Sequence, residues 1–402
     1  MNQIFKVGFL FRNIISSKKR KVLIKRYSQK NAHIFFGYYD ITPFSNNNRY
    51  LLAQKIGIKN RIPKNFDKLY VGYFDIENNQ DFIEVGSTNT WNWQQGCRLQ
   101  WYPRDGNSKI FYNKRMKNDF GSLIQDIYSG KIIDQFDLPL YDINSKGTLG
   151  LSLNFTRLGR LRPGYGYIEK THSTYNQKEP ENDGIWLYDL EKKNKKLLFS
   201  IREIAKIDRQ ESMDSSHHYF NHISFNPIGN RFLFLHLWAT PNKRFSRLLT
   251  SDIEGKKINV LNNQGHTSHY TWKDDHHILS YSTHYGTGTN YYIYNDNIGE
   301  KDIFANGKIK HDSHPSFSAD RKRLLFDSYP NRYSVQNLYL YNNNSISTFY
   351  SFFNPYGYKG QIRCDLHPRW NSESTMICCD SPNLSGYRSM YVLWEKKEQI
   401  CL

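Results

Sequence analysis

The chain has 402 residues, of which 16% are aromatic and only 38% hydrophobic, and its mean hydropathy is −0.72. Rings and β-branched residues under so polar a surface favour many short strands over a Leu- and Ala-rich helical bundle. No apolar run is long enough to span a membrane.

The formal net charge is +18, and residues 1–30 carry nine Lys and Arg with no Asp or Glu, so half of the excess sits on an arm. Ile4, Phe5, Phe9, Leu10, Phe11, Ile14 and Ile15 precede the cluster Lys18, Lys19, Arg20 and Lys21. That order suits an anionic membrane surface with the cations at headgroup level. It equally suits a solvated tail. Nucleic acid is not the expected partner, since no recognised binding motif accompanies the charge. Arg12 interrupts the apolar stretch 7–10 and no small-residue cleavage site follows. Five cysteines are too few and too unevenly placed for a disulfide framework. The expectation is a cytoplasmic protein, peripheral at the inner face of the membrane if the arm attaches there. The domains expected are an arm over 1–32 and a single folded unit over 33–402.

A repeat runs through that unit. A short strand, a turn rich in Asn, Asp, Gly or Ser, and a second hydrophobic strand recur at 41–52, 99–111, 141–151, 223–234, 270–279, 315–326 and 368–378. After each comes an aromatic-rich strand with period-2 alternation: 69–76, 122–128, 184–190, 247–253, 290–294, 337–341 and 389–394. Seven inner hairpins alternating with seven outer ones predict an all-β fold, a seven-bladed β-propeller. Two stretches break the rhythm, one running from Arg157 past Tyr167 to Asp183 and the other from Ile201 to His218. Such insertions project from the ring and often build its site.

The residues just before the inner strands carry the candidate chemistry. His222, His269, His314 and His367 open blades 4 to 7, the first three at intervals of 47 and 45 residues. Equivalent positions in neighbouring blades face one another across the central channel, so four imidazoles are expected at one mouth. Asp40 and Arg98 hold comparable places in blades 1 and 2. One such histidine is a common structural turn, whereas four at one register point to a ligand or a metal.

The segments Phe220-Asn221-His222, the strand ending at His236, Ser246-Arg247 and Ser268-His269 resemble the oligogalacturonate lyases and, more loosely, the ulvan and related uronate lyases. These are seven-bladed propellers that cleave uronic-acid polysaccharides by β-elimination. The resemblance spans blades 4 to 7. It implies Arg247 as proton-abstracting base, His269 as a substrate contact, and His314 and His367 as metal ligands. The family's last blade uses a Gln and a His-x-His pair, whereas this chain has Asp365-Leu366-His367 with Gln361 and Cys364 nearby. Asp365, His367 and His314 together suit one divalent Mn, Fe or Zn ion, and Cys364 would favour zinc.

Elimination beside a uronate needs a cation for the carboxylate, a base for the proton at carbon 5, and an acid for the departing oxygen. The chain offers Arg157, Arg160, Arg162, Arg244 and Arg247 for the first need. His222, His236 and His269 suit proton transfer, with Tyr165 or Tyr167 as acids. Three readings stand: a lyase acting on acidic carbohydrate, a membrane-associated factor (glycosyltransferase-like or accessory) in making bacterial surface or capsular polysaccharide, and a propeller that binds carbohydrate or protein without catalysis. No P-loop, Rossmann fingerprint or nucleophile elbow is present, so no nucleotide cofactor is expected.

Overall fold

The computed structural model describes residues 22–78, 81–117, 119–167 and 172–395. These form seven four-stranded antiparallel sheets. In blades 1 to 6 the strands run from inner to outer in chain order, as in blade 4 with His217–Phe225, Arg231–Ala239, Arg244–Asp252 and Ile258–Asn262. The chain is a seven-bladed propeller.

The inner hairpins close by one device used repeatedly. In blade 4 the Asn226 Oδ1 accepts the backbone N–H groups of Asn230 (3.0 Å) and Arg231 (3.1 Å), and Gly229 supplies a left-handed φ of 74°. Asn144 does the same for Thr148 and Leu149 in blade 3, and Asn371 for Thr375 and Met376 in blade 7. A short carboxamide satisfies two turn donors that would otherwise face each other, which fixes the hairpin register. The outer strands alternate in burial as their period demands; in Val335–Asn342, Gln336, Leu338 and Leu340 point inward. Rings such as Phe232, Phe234 and Tyr270 fill the space between blades.

The boundary expected at residue 32 is corrected. Val22–Tyr27 is the outermost strand of blade 7, paired antiparallel with Ser389–Glu395 from Val22 opposite Glu395 to Tyr27 opposite Met390. Tyr27 is fully buried, Lys25 Nζ donates to the Ile76 carbonyl at 2.7 Å, and Arg26 Nε donates to Ser389 Oγ at 3.1 Å. Lys25 and Arg26 therefore belong to a sheet. Arm residues 1–21 lie outside the described residues. Among the described residues no helix is long and apolar enough to cross a membrane. Blade 1 also begins earlier than expected, at His33–Phe35 paired with Tyr50–Ile56, and its 41–52 segment adds an isolated Phe44–Leu51 bridge.

Both insertions fold as short helices over one face. Phe155–Leu161 is capped by Asn154, whose side chain accepts from the Arg157 backbone N–H. Ile201–Lys206 starts with a capping box between Ser200 and Glu203.

Candidate active site at the channel mouth

The four histidines converge around one ring. Tyr38 lies with its centroid 4.9 Å from both His222 and His367, 6.0 Å from His314 and 6.4 Å from His269. His269 and His314 are 4.2 Å apart, and His314 and His367 4.4 Å. His222 and His367 reach this point with left-handed φ values of 54° and 46°, and Arg98 of blade 2 has the same conformation at 56°. Non-glycine residues seldom hold it, so three of them around one mouth mark a locally over-determined backbone. His222 and His269 sit at register shifts inside their strands, between Asn221 and Ser224 and between Thr267 and Tyr270.

Each ring has a fixed orientation. His314 Nδ1 lies 2.9 Å from both Asp327 carboxylate oxygens, and since a carboxylate only accepts, Nδ1 carries the proton. His367 Nδ1 donates to the Gly37 carbonyl at 2.7 Å. The Nε2 atoms of both rings are buried with no hydrogen-bond partner. One ring nitrogen each of His314 and His367 and an Asp365 oxygen lie within 4.8 Å of one another, the grouping a divalent cation requires. The backing of each imidazole by a carboxylate or carbonyl is the outer shell such a site uses to orient its ligands. Asp327 also accepts the backbone N–H groups of His314 (2.9 Å) and His367 (3.2 Å), so one carboxylate ties the two ligands' backbones together. The residues present therefore fit a divalent ion.

Electrostatics separates the rings. Burial pushes His314 down, but Asp327, followed by Asp365 and Asp312, outweighs it and holds His314 above the ordinary histidine value. Burial, then His314 and Arg369, holds His367 well below it. Burial also lowers His269, against the opposing pull of Asp312. His269 Nδ1 meets Asp312 Oδ1 at 2.9 Å, and Ser268 Oγ donates to the other Asp312 oxygen at 2.6 Å. His222 meets two phenols, Tyr141 at Nδ1 (3.1 Å) and Tyr38 at Nε2 (3.3 Å). Burial and then His269 keep it uncharged.

Arg363 enters from the connection between blades 6 and 7. It donates through Nε to Asp365 at 2.7 Å and through its other arm to the Tyr165 hydroxyl. Tyr165 stands edge-on to both Tyr38 and His222. Arg162 lies over the Tyr165 ring at 5.1 Å. Arg244 is exposed at the start of the third strand of blade 4.

Several sequence-derived candidates lie elsewhere. Arg247 and His236 are fully buried on the third and second strands of blade 4. Arg247 donates to His236 Nδ1 at 3.0 Å and to the carbonyls of Ile204 and Ile207 at 2.7 Å, so its guanidinium is engaged by the insertion helix and not by the channel. Burial lowers its pKa to about 10. Arg157 likewise donates to the carbonyls of His218, Thr174, Gln177 and Lys178, which pins the first insertion. Tyr167 stacks on Phe155 and bonds Asn113, inside the core. Arg160 lies over the Tyr175 ring, toward His217. Asp40 and Arg98 pair with each other at 2.9 and 3.1 Å, a buried clasp between blades 1 and 2 with Arg98 also held by the Tyr141 carbonyl. Cys364 is outside the metal grouping, and burial pushes its thiol up to about 12, far from a ligating thiolate. Asp312, Asp327, Tyr38, Tyr141 and Arg363 were not among the candidates. Asp312-Ser-His314 and Asp365-Leu-His367 share an Asp-x-His spacing, which was a readable signal; Asp327 joins only through the sheet.

The seven-bladed propeller fold is shared with solved structures of known proteins. An oligogalacturonate lyase in complex with manganese matches with a TM-score of 0.68 at 13% identity, covering 93% of each chain. An oligogalacturonate lyase from Vibrio parahaemolyticus matches with a TM-score of 0.64 at 14% identity, over 93% of this chain and 94% of that one. A chain of a mitotic checkpoint complex gives 0.51 at 9% identity over similar lengths. At these identities the likeness is one of fold, and it extends to nearly the whole chain where the sequence motifs reached only blades 4 to 7. No protein-family model matches the sequence, and no curated protein does.

Proposed function

We propose that the channel mouth opens a glycosidic linkage of a uronic-acid-containing saccharide by β-elimination. One observation carries this reading: two buried imidazoles with unpartnered Nε2 atoms and a carboxylate stand beside the Asp312–His269 pair. His314, His367 and Asp365 would hold a divalent cation, which when bound supplies positive charge to a substrate carboxylate and acidifies the neighbouring C–H. Arg363 adds a fixed positive charge at the same place.

His269 is the base. Asp312 accepts a hydrogen bond from the His269 Nδ1–H, which leaves the Nε2 lone pair to take the proton at carbon 5, and Asp312 then stabilises the imidazolium that forms; burial, which lowers the pKa of the ring, favours the neutral form beforehand. The electron pair forms the carbon–carbon double bond, and the bond from carbon 4 to the linking oxygen breaks. Tyr165 protonates that oxygen, its phenolate being stabilised by the Arg363 guanidinium it already accepts from. The test is the absorbance of an unsaturated uronyl product from pectic, ulvan-type and capsular oligosaccharides with Mn²⁺. Product that disappears with a chelator and in His269→Ala is the expected result; a flat trace on every substrate overturns the reading.

Binding without turnover is the second reading, favoured by how little of the site faces water: His314 is 1% and His367 3% exposed. Saccharide binding accompanied by a flat trace would establish it.

A further inference from the structure

The first insertion, between the second and third strands of blade 3, serves two places. Its Tyr165 stands at the mouth, edge-on to His222. Its Phe155 lines a separate cleft against blade 2, whose lining includes none of the four mouth histidines. That cleft measures about 570 Å³, within the range of small-molecule sites.

Two groups in its wall are prepared for a ligand. Asp183, which closes the insertion just before the strand Gly184–Asp189, is 5% exposed. Both of its side-chain hydrogen bonds land on Oδ2, from Asn154 Nδ2 at 2.8 Å and Thr174 Oγ1 at 2.7 Å. Thr174 spends its one proton there, so His172 Nδ1 is the donor in its 3.1 Å contact with Thr174 Oγ1. A chain from imidazole to hydroxyl to carboxylate thus fixes how Asp183 points. Its Oδ1 takes no hydrogen bond among the described residues and is not sealed from solvent, so this oxygen is the open side of a carboxylate that lines the cleft. Trp186, two residues into the strand, also lines it; the indole is partly exposed, and no ring or cation packs on it among the described residues.

An indole beside a carboxylate suits a sugar. A pyranose lays its apolar C–H face on the ring and donates neighbouring hydroxyls to the oxygen. Thr156 and Asn182 add a hydroxyl and a carboxamide to the lining. Charge decides which sugar. Asp119 is a second carboxylate in the wall, whereas Lys195 is paired with Asp137 at 2.9 Å and Arg115 lies over the Phe120 ring at 4.7 Å. A uronate would bring its own negative charge to two others with the nearby cations engaged. We infer that the cleft binds a neutral glycosyl unit through Asp183 and Trp186, at a site distinct from the mouth and independent of whether the mouth cleaves.

The test titrates the full chain with methyl glycosides of galactose, glucose, mannose and rhamnose, and with methyl galacturonate as the charged counterpart, followed by saturation-transfer NMR. At least one neutral glycoside should bind. Trp186→Ala should weaken it about tenfold through loss of the stacking face, and Trp186→Phe should restore most of the affinity. Asp183→Asn should weaken it by at least as much. Trp186 is partly exposed, so its variants keep the melting temperature and decide the matter even where Asp183→Asn loosens the insertion. The double variant His314→Ala, His367→Ala should bind the glycoside as before. Absence of binding by every neutral glycoside, binding that survives Trp186→Ala, binding lost with the two mouth histidines, or tighter binding of galacturonate through Trp186 overturns the inference. A flat elimination trace beside Trp186-dependent binding of a neutral glycoside upholds the cleft and overturns the elimination.

Discussion

Two groups of buried histidines sit on blades 4 to 7, and they differ in what their nitrogens meet. In blade 4, Arg247 Nε donates to His236 Nδ1, His236 Nε2 donates to His218 Nδ1 at 2.9 Å, and His218 Nε2 donates to the Met213 carbonyl at 3.0 Å. Every ring nitrogen in that chain has a partner, His218 Nε2 also lying 3.3 Å from Glu179 Oε1, and burial lowers the pKa of both rings. At the mouth, His314 and His367 are equally buried, but each keeps an Nε2 with no hydrogen-bond partner, that of His367 lying 3.9 Å from Asp365 Oδ2. The first arrangement is closed and serves the fold; the second is open on one side and is fit for a ligand. Residue type does not separate the two groups, whereas the tally of donors and acceptors does.

The sharpest break between them is removal of the open nitrogens. His314→Ala with His367→Ala should lower Mn²⁺ affinity about a thousandfold, as two of three ligands go, with little change in melting temperature. Equal loss in a variant of His236 would erase the distinction. Next in size, Arg247→Ala leaves the Ile204 and Ile207 carbonyls and His236 without their donor in a dry interior and should cost about 3 kcal/mol of stability. Urea denaturation measures this, and the folded fraction should bind Mn²⁺ as before. A smaller effect is expected at the oriented shell: Asp327→Asn should weaken Mn²⁺ binding about tenfold, because His314 loses the acceptor that sets its tautomer.

The smallest concerns pH. Burial lowers His33 to about 3 and His218 and His284 to about 4, and places His236 well below its ordinary value. The unfolded chain therefore takes up protons first. Stability from these groups is held above pH 6.5 and lost as the pH falls toward 4. Between pH 7.5 and 6 each should cost about 0.8 kcal/mol. A urea midpoint that is flat over this range would show that these four rings, two of them in the closed chain, are not held neutral.

Much of the fold was legible because a propeller repeats. The turn Asn226-Pro-Ile-Gly229 and its relatives at Asn144 and Asn371 appear at regular intervals, and the period-2 strands between them need little tertiary help to be recognised. The convergence of His222, His269, His314 and His367 followed from their common register. Arg247 was misread because its partners, the Ile204 and Ile207 carbonyls, lie on a helix about forty residues earlier, and backbone acceptors leave no trace in side-chain patterns. Asp327 was missed because its role depends on where a neighbouring strand ends, and Val22–Tyr27 because a cationic composition hid a strand whose partner lies at the far end of the chain.

That last strand has a consequence for assembly. Every other blade pairs segments that are neighbours along the polypeptide, so each can zip up locally. The seventh joins Arg26 to Ser389 across 363 residues and must wait for the rest. Until it does, Ser389–Glu395 presents an unfilled row of amides and carbonyls, open to the equivalent segment of another molecule. A ring fastened this way has one seam, and damage there would undo the circle sooner than damage to any single spoke.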